Sequence, residues 1–376
     1  MSPRKSLPDS ARRAAAAFFP GHALVRLDKL GEGHINDTFL VIPAGARHDK
    51  YVLQRLSPRV FKRPELVMAN LRVLADHLDR RLRDDVAQHF SGWRLVFPLA
   101  ARDGRDYYID PAGNFWRMLN YIAGEMDDPL AESGRAGEAG RALGLFHRLV
   151  ADLDPGCLVD ILPGFHVTPG YLADYDRIAG RDGDAEEEYC AGVIDRRRAF
   201  APILENAARD GLLPIRVIHG DPRPANIIFE VTSGKAVSMV DLDTVKPGLI
   251  HYDIGDCLRS ACNRAGDDID DLDRVGFDTG KCSELLSGYL AEMGALLTDA
   301  DFRFIYPAVR LLAFELGLRF FTDHLAGDIY FKVAYRGHNL QRALAQFRLL
   351  ESIEESADAI HDIIGKCGRA GGDDPW

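Results

Sequence analysis

Two prolines in the segment His219-Gly220-Asp221-Pro222-Arg223-Pro224-Ala225-Asn226 limit what this chain can fold into more than any other feature. Each proline withholds a backbone donor and fixes φ, so Asp221 to Asn226 reads as a rigid loop and not as a helix. Before it, the β-branched Val217 and Ile218 end a short apolar strand. After it, Ile227 to Phe229 read as a strand, Thr232 to Lys235 as its turn, and Ala236 to Val240 as the return strand. The pattern predicts a loop mouth that carries Asp221 and a hairpin that delivers Asp241 beside Asn226.

Those three side chains stand in the order that phosphoryl transfer asks for. Moving a γ-phosphoryl group needs one carboxylate to accept or orient the attacking hydroxyl, and oxygen ligands for the metal that neutralises the polyphosphate. In protein kinases the base and a metal-binding Asn lie about five positions apart in one loop, and a second metal-binding Asp follows. Asp221 is accordingly the candidate base, with Asn226 and Asp241 as magnesium ligands. Asp243 either completes a second magnesium site or hydrogen-bonds the loop. Arg223 either neutralises charge on the transferring group or contacts the acceptor. His219 braces the loop through its ring hydrogen bonds, because a carboxylate already holds the position the hydroxyl needs. His147, on an apolar helix face, reads as a satisfied core histidine.

The pattern HGDxxxxN followed by an Asp on a hairpin resembles the aminoglycoside phosphotransferase and choline kinase superfamily. Four further blocks, GEGHINDTFLV, YVLQRLSPRVFKRPELVMANL, VDLDTVKPGLIHYDIGDCLR and GLRFFTDHLAGDIYF, resemble its bacterial N-acetylhexosamine 1-kinase group. They run from about Gly31 to Phe331. The resemblance implies an α+β, bilobal protein-kinase-like fold with a small β-rich N-lobe and a larger, mainly helical C-lobe. It also implies ATP- and Mg2+-dependent phosphorylation of the anomeric hydroxyl of N-acetylglucosamine or N-acetylgalactosamine. Gly31, Gly33, His34 and Asn36 form a turn between strands that can bring backbone N–H groups to phosphate oxygens, although a full GxGxxG is missing. In the resembling kinases a third-strand cation contacts the phosphates. Here Gln54 occupies that register with Arg55 beside it, so Arg55, Lys62, Arg63 or the metal must supply the charge. Glu65 either pairs with that cation or marks the start of a helix. Asp253 and Asp256 match the structural Asp that braces the catalytic loop. Arg319 and Tyr330 match sugar-contacting positions.

Composition excludes several classes. With 376 residues, 47% of them hydrophobic, the chain can bury a substantial core, and a net charge of −11 argues against nucleic-acid or anionic-membrane partners. Six cysteines without a CxxC pair, and a short apolar run at residues 11–19, fit a cytoplasmic protein whose first segment is an amphipathic helix. The expected partners are a nucleotide and a small sugar, on a monomer or weak dimer. Residues 1–122 are expected to form the nucleotide-binding lobe and 123–376 the catalytic and acceptor-binding lobe. In the first, strands are expected over 27–30, 37–42, 51–55, 93–99, 107–110 and 115–121, with helices over 9–19 and 64–83. In the second, helices are expected over 135–151, 169–181, 185–211, 252–263, 282–293, 299–325 and 339–353, and the tail from Gly365 is expected to fray. Choline, homoserine, methylthioribose and aminoglycoside kinases are rival readings, as is a pseudokinase. Asp241-Leu242-Asp243-Thr244-Val245 also fits the nucleophile motif of haloacid dehalogenase-like phosphatases.

Overall fold

The computed structural model describes residues 9–19, 24–30, 36–44, 49–83, 89–126, 135–180, 183–266 and 271–369. Gly31, Gly33 and His34 lie outside them. The chain divides into two compact units. One comprises 1–124 together with 156–162 and 242–245, two short segments that the sequence assigned to the second lobe. The other takes the remainder.

In the first unit, alternation of apolar and polar residues produces an antiparallel five-stranded sheet of order β1-β2-β3-β5-β4, with β1 Leu24–Lys29, β2 Asp37–Pro43, β3 Tyr51–Arg55, β4 Tyr108–Ile109 and β5 Phe115–Asn120. Helix α1, Asp9–Phe18, packs the small residues Ala11, Ala14 and Ala15 against Leu27, Phe39, Leu53, Trp116 and Met118. Short side chains let the helix sit close to the sheet. Helix α2, Pro64–Arg83, buries Leu71, Leu74 and Leu78, as its spacing predicts. Its Asn70, also buried, donates to the carbonyls of Val159 (2.8 Å) and Val245 (3.1 Å) and accepts from Val159 N–H. One amide thereby fastens both late segments to the first unit. The expected strand over 93–99 is an irregular segment with a single bridge, Pro98 to Leu119.

The second unit is mainly helical: α3 Arg135–Leu149, α4 Thr168–Ile178, α5 Ala185–Arg197, α6 Ile203–Arg209, α7 Ile250–Ala261, α8 Thr279–Met293, α9 Asp299–Arg303, α10 Ile305–Leu325, α11 His338–Glu355 and α12 Ala357–Arg369. The helix expected over 185–211 is broken near Pro202, and that over 299–325 at Phe304. The tail holds α12 instead of fraying at once, because Ile360 and Ile364 bury one face. Helices α3 and α8 touch backbone to backbone: a Cβ at Gly140 would fall 1.9 Å from the Leu285 carbonyl oxygen, and one at Gly288 2.0 Å from that of Gly137. Two small antiparallel ladders carry the loops of interest, β6 Arg216–Ile218 with β9 Lys246–Gly248, and β7 Ile227–Phe229 with β8 Ala236–Met239.

Candidate active site

Asp221 leaves β6 after a left-handed Gly220 (φ 85°). Arg223 donates to it from Nε (2.7 Å to Oδ1) and Nη2 (3.3 Å to Oδ2), and Asn226 Nδ2 donates to its carbonyl (2.8 Å) and to Oδ2 (3.2 Å). Burial pushes the Asp221 carboxyl up. The charge and hydrogen bond of Arg223, with the Asn226 amide, outweigh this and hold it below the usual carboxylate range, so it is ionised at neutral pH.

The turn ahead of it is pinned by Asp253 of α7, which is fully buried and accepts from His219 N–H (2.7 Å), Gly220 N–H (2.9 Å) and His147 Nε2 (2.8 Å). His147 also meets the Tyr289 hydroxyl at 3.0 Å, so this core histidine is satisfied while serving the loop. His219 Nε2 donates to the Val240 carbonyl (3.1 Å) while Nδ1 accepts from Asp221 N–H (3.3 Å). That arrangement needs the neutral ring, and burial lowers the pKa of His219 accordingly. Asp256 pairs with Arg259 instead.

The β7-β8 hairpin brings Asn226 and Asp241 to the same end, since Val240 N–H donates to the Asn226 carbonyl at 2.8 Å. Asp241 has φ 60°, a left-handed conformation that Asp tolerates better than most residues and that recurs at functional sites. A hard amide oxygen and a carboxylate suit magnesium, which keeps several waters and takes few protein ligands. β8 pairs antiparallel in a two-stranded ladder. A dehalogenase-type nucleophile would follow a strand of a doubly wound sheet, so that reading of Asp241 is set aside.

Arg319 of α10 lies under an aromatic lining, its guanidinium carbon 4.8 Å from the Tyr171 ring centroid, 5.2 Å from Phe165 and 5.6 Å from Phe331. Glu315 Oε1 is 3.8 Å away. Tyr330 is 61% exposed, edge-on to Phe331 at 4.8 Å. Its loop is fastened by the buried Asp323, which accepts from the N–H groups of Ile329, Tyr330 and Phe331 and from Asn339 Nδ2 at 2.8–3.0 Å.

The first unit holds a separate polar cluster. Gln54 on β3 faces Arg117 directly across the β3-β5 ladder, and its Oε1 accepts from Arg117 Nε (2.9 Å) and Nη2 (2.7 Å). Arg117 Nη2 also lies 2.5 Å from Asp243 Oδ1, while Asn36 Nδ2 donates to Asp243 Oδ2 (2.9 Å) and Asn36 Oδ1 accepts from Ser57 N–H (3.0 Å). Asp243 is thus engaged by a guanidinium and an amide, the hydrogen-bonding one of its two readings. Arg55 stands outside this cluster: successive strand residues point to opposite faces, and Arg55 pairs with Asp37 and covers Trp116, away from Gln54. The buried cation beside Gln54 is Arg117, whose Nη1 has no hydrogen-bond partner among the described residues. Reading the sequence for third-strand replacements missed it, although an Arg inside the apolar strand FWRMLN was a visible signal. Arg63 and Glu65 pair with each other at 2.9 Å.

A family model described as "Phosphotransferase enzyme family" matches residues 26–285. The chain belongs to the phosphotransferase enzyme family. Among solved structures, this family member is similar to a microcompartment-associated aminopropanol kinase (TM-score 0.60, 17% identity, covering 94% of this chain and 98% of that one). It is similar also to a choline/ethanolamine kinase family protein from Mesorhizobium loti (TM-score 0.57, 17% identity, 96% and 99% covered). A third likeness is to the GDP complex of aminoglycoside 2'-phosphotransferase-IIIa (TM-score 0.53, 12% identity, 96% and 99% covered). The fold of this phosphotransferase is therefore the α+β, bilobal kinase-like one. No helix among the described residues is long and apolar enough to cross a membrane.

Proposed function

We propose that this phosphotransferase is an ATP- and magnesium-dependent sugar 1-kinase that phosphorylates the anomeric hydroxyl of an N-acetylhexosamine, GlcNAc or GalNAc. The observation that carries the acceptor class is the Arg319 cradle. An amine such as choline or an aminoglycoside asks for an acidic, aromatic pocket. Here the aromatic rings surround a guanidinium, and the adjacent Glu315 already answers Arg319 and His166. A cation lined by rings suits a neutral acceptor rich in hydroxyl and carbonyl oxygens.

When bound, ATP supplies the phosphoryl group and magnesium neutralises its oxygens. Asn226 and Asp241 would hold the metal. Asp221 orients the acceptor hydroxyl and takes its proton as the oxygen attacks. Arg223 keeps that carboxylate ionised and fixes its direction, while Arg319 and Tyr330 hold the sugar. The test is ATP consumption across free sugars, choline, homoserine and aminoglycosides, with NMR of the product. An anomeric phosphate from GlcNAc or GalNAc is expected. Turnover with amines only would reject the sugar reading.

A further inference from the structure

His166 lies in the loop before α4, buried and left-handed (φ 65°). Neither the hydroxyl-orienting loop nor the cradle contains it, yet it touches both. Its Nε2 stands 3.0 Å from the carbonyl oxygen of Gly220, the residue before Asp221, and its Nδ1 stands 2.9 Å from Oε1 of Glu315. A carbonyl oxygen only accepts, so Nε2 carries a hydrogen. One further proton must lie between Nδ1 and Oε1, because two bare acceptors at that distance repel.

Several groups decide which atom holds that proton. Glu315 Oε2 accepts from the Thr168 hydroxyl at 2.8 Å, and the Arg319 guanidinium stands 3.8 Å from Oε1. Both favour the carboxylate, which leaves the proton on the ring. From α7, Tyr252 stacks on His166 at 5.6 Å, with Glu205 behind it at 2.8 Å from its hydroxyl, and Asp256 adds negative charge. Asp221 is the charged group next to Gly220. Burial alone would favour the neutral ring, but Glu315 outweighs it and holds the His166 pKa above the ordinary value.

We propose that His166 is a positioning residue: as a buried imidazolium it straps the carbonyl before Asp221 to the carboxylate beside Arg319, and so sets where the hydroxyl-orienting group stands relative to the acceptor cradle. Gly220 is held from both sides, its N–H by Asp253 and its carbonyl by His166. The left-handed backbone at a non-glycine residue persists because both ring bonds over-determine it. Displacing Asp221 by about 1 Å would cost about a hundredfold in rate. The kinetic consequence rests on the sugar-kinase reading; the bonding does not.

The test pairs spectroscopy with kinetics. In long-range proton–nitrogen spectra of histidine-labelled protein at about pH 8, well above the ordinary histidine value, one doubly protonated ring is expected, missing from His166→Gln. The neutral Gln amide lacks the imidazolium's charge and its two N–H donors on opposite sides of a rigid ring. The variant should therefore lose at least about tenfold in kcat and raise the acceptor KM, while titrated nucleotide affinity stays at wild type. Glu315→Gln should abolish the second ring proton, and it decides the matter if His166→Gln fails to fold. A neutral ring in the wild type overturns the proposal, as does His166→Gln with wild-type kcat and acceptor KM. If no acceptor is phosphorylated at all, the sugar-kinase reading fails while the ring spectrum still supports or overturns the strap.

Discussion

Replacing Asp221 by Asn separates chemistry from stability in a measurable way. The carboxylate accepts two hydrogen bonds from Arg223 and one from Asn226. An amide keeps one acceptor oxygen and turns an NH2 group toward donors, so a charge-assisted pair is lost. Because the Asp221 and Arg223 side chains are 26% and 36% exposed, solvent screens that pair, and the folding cost is about 1 kcal/mol. Loss of a positioned base is worth about 10²–10⁴ in rate, or about 2.7–5.5 kcal/mol of barrier. Activity should therefore fall far more than stability does. The assay is steady-state ATP consumption with saturating acceptor, beside urea unfolding and fluorescence titration of a nucleotide analogue. A kcat within about threefold of wild type, well short of the general-base range, would refute Asp221 as base. So would a loss of nucleotide affinity that matches the loss of rate.

Removing Arg223 as Arg223→Leu should shift the acid limb of kcat upward by about one pH unit or more, because an opposite charge at this distance lowers a carboxyl by about 1–3 units. The sign follows from the depressed folded-state pKa. The ionised, paired form is present above the ordinary carboxylate value and is lost only as pH falls through the lowered one. An unmoved limb would show that Arg223 does not tune Asp221. Asp253→Asn points an amide NH2 at one of three buried donors, and urea unfolding should register a loss of about 3–5 kcal/mol. Gly140→Ala drives a methyl into the Leu285 carbonyl, with about 1–3 kcal/mol of destabilisation expected and the Asp221 loop left unchanged. Arg319→Ala should raise the acceptor KM more than the ATP KM, and equal effects on both would remove it from the cradle.

Features written in neighbouring residues were legible without coordinates. The twin prolines, β-branched flanks and turn residues specify the Asp221 loop and the hairpin that joins Asn226 to Asp241, since φ restriction and strand periodicity act over a few positions. The apolar spacing of Leu71, Leu74 and Leu78 specified α2 end to end. The partners of those elements were not legible, because a hydrogen bond between residues far apart in the chain leaves no local pattern. His166 and Glu315 stand 149 positions apart and Arg117 faces Gln54 across 63, so the His166–Glu315 contact and the Arg117–Gln54 pair exist only once strands and helices have packed. The same holds for Asp243 and Arg55. Their residue types allowed a metal ligand and a phosphate contact, and only the faces on which the fold sets them gave those oxygens to Arg117 and Asn36 and that guanidinium to Asp37. The sequence thus determined the chemistry available, while tertiary packing decided which donors meet which acceptors, because burial makes an unpaired polar group costly.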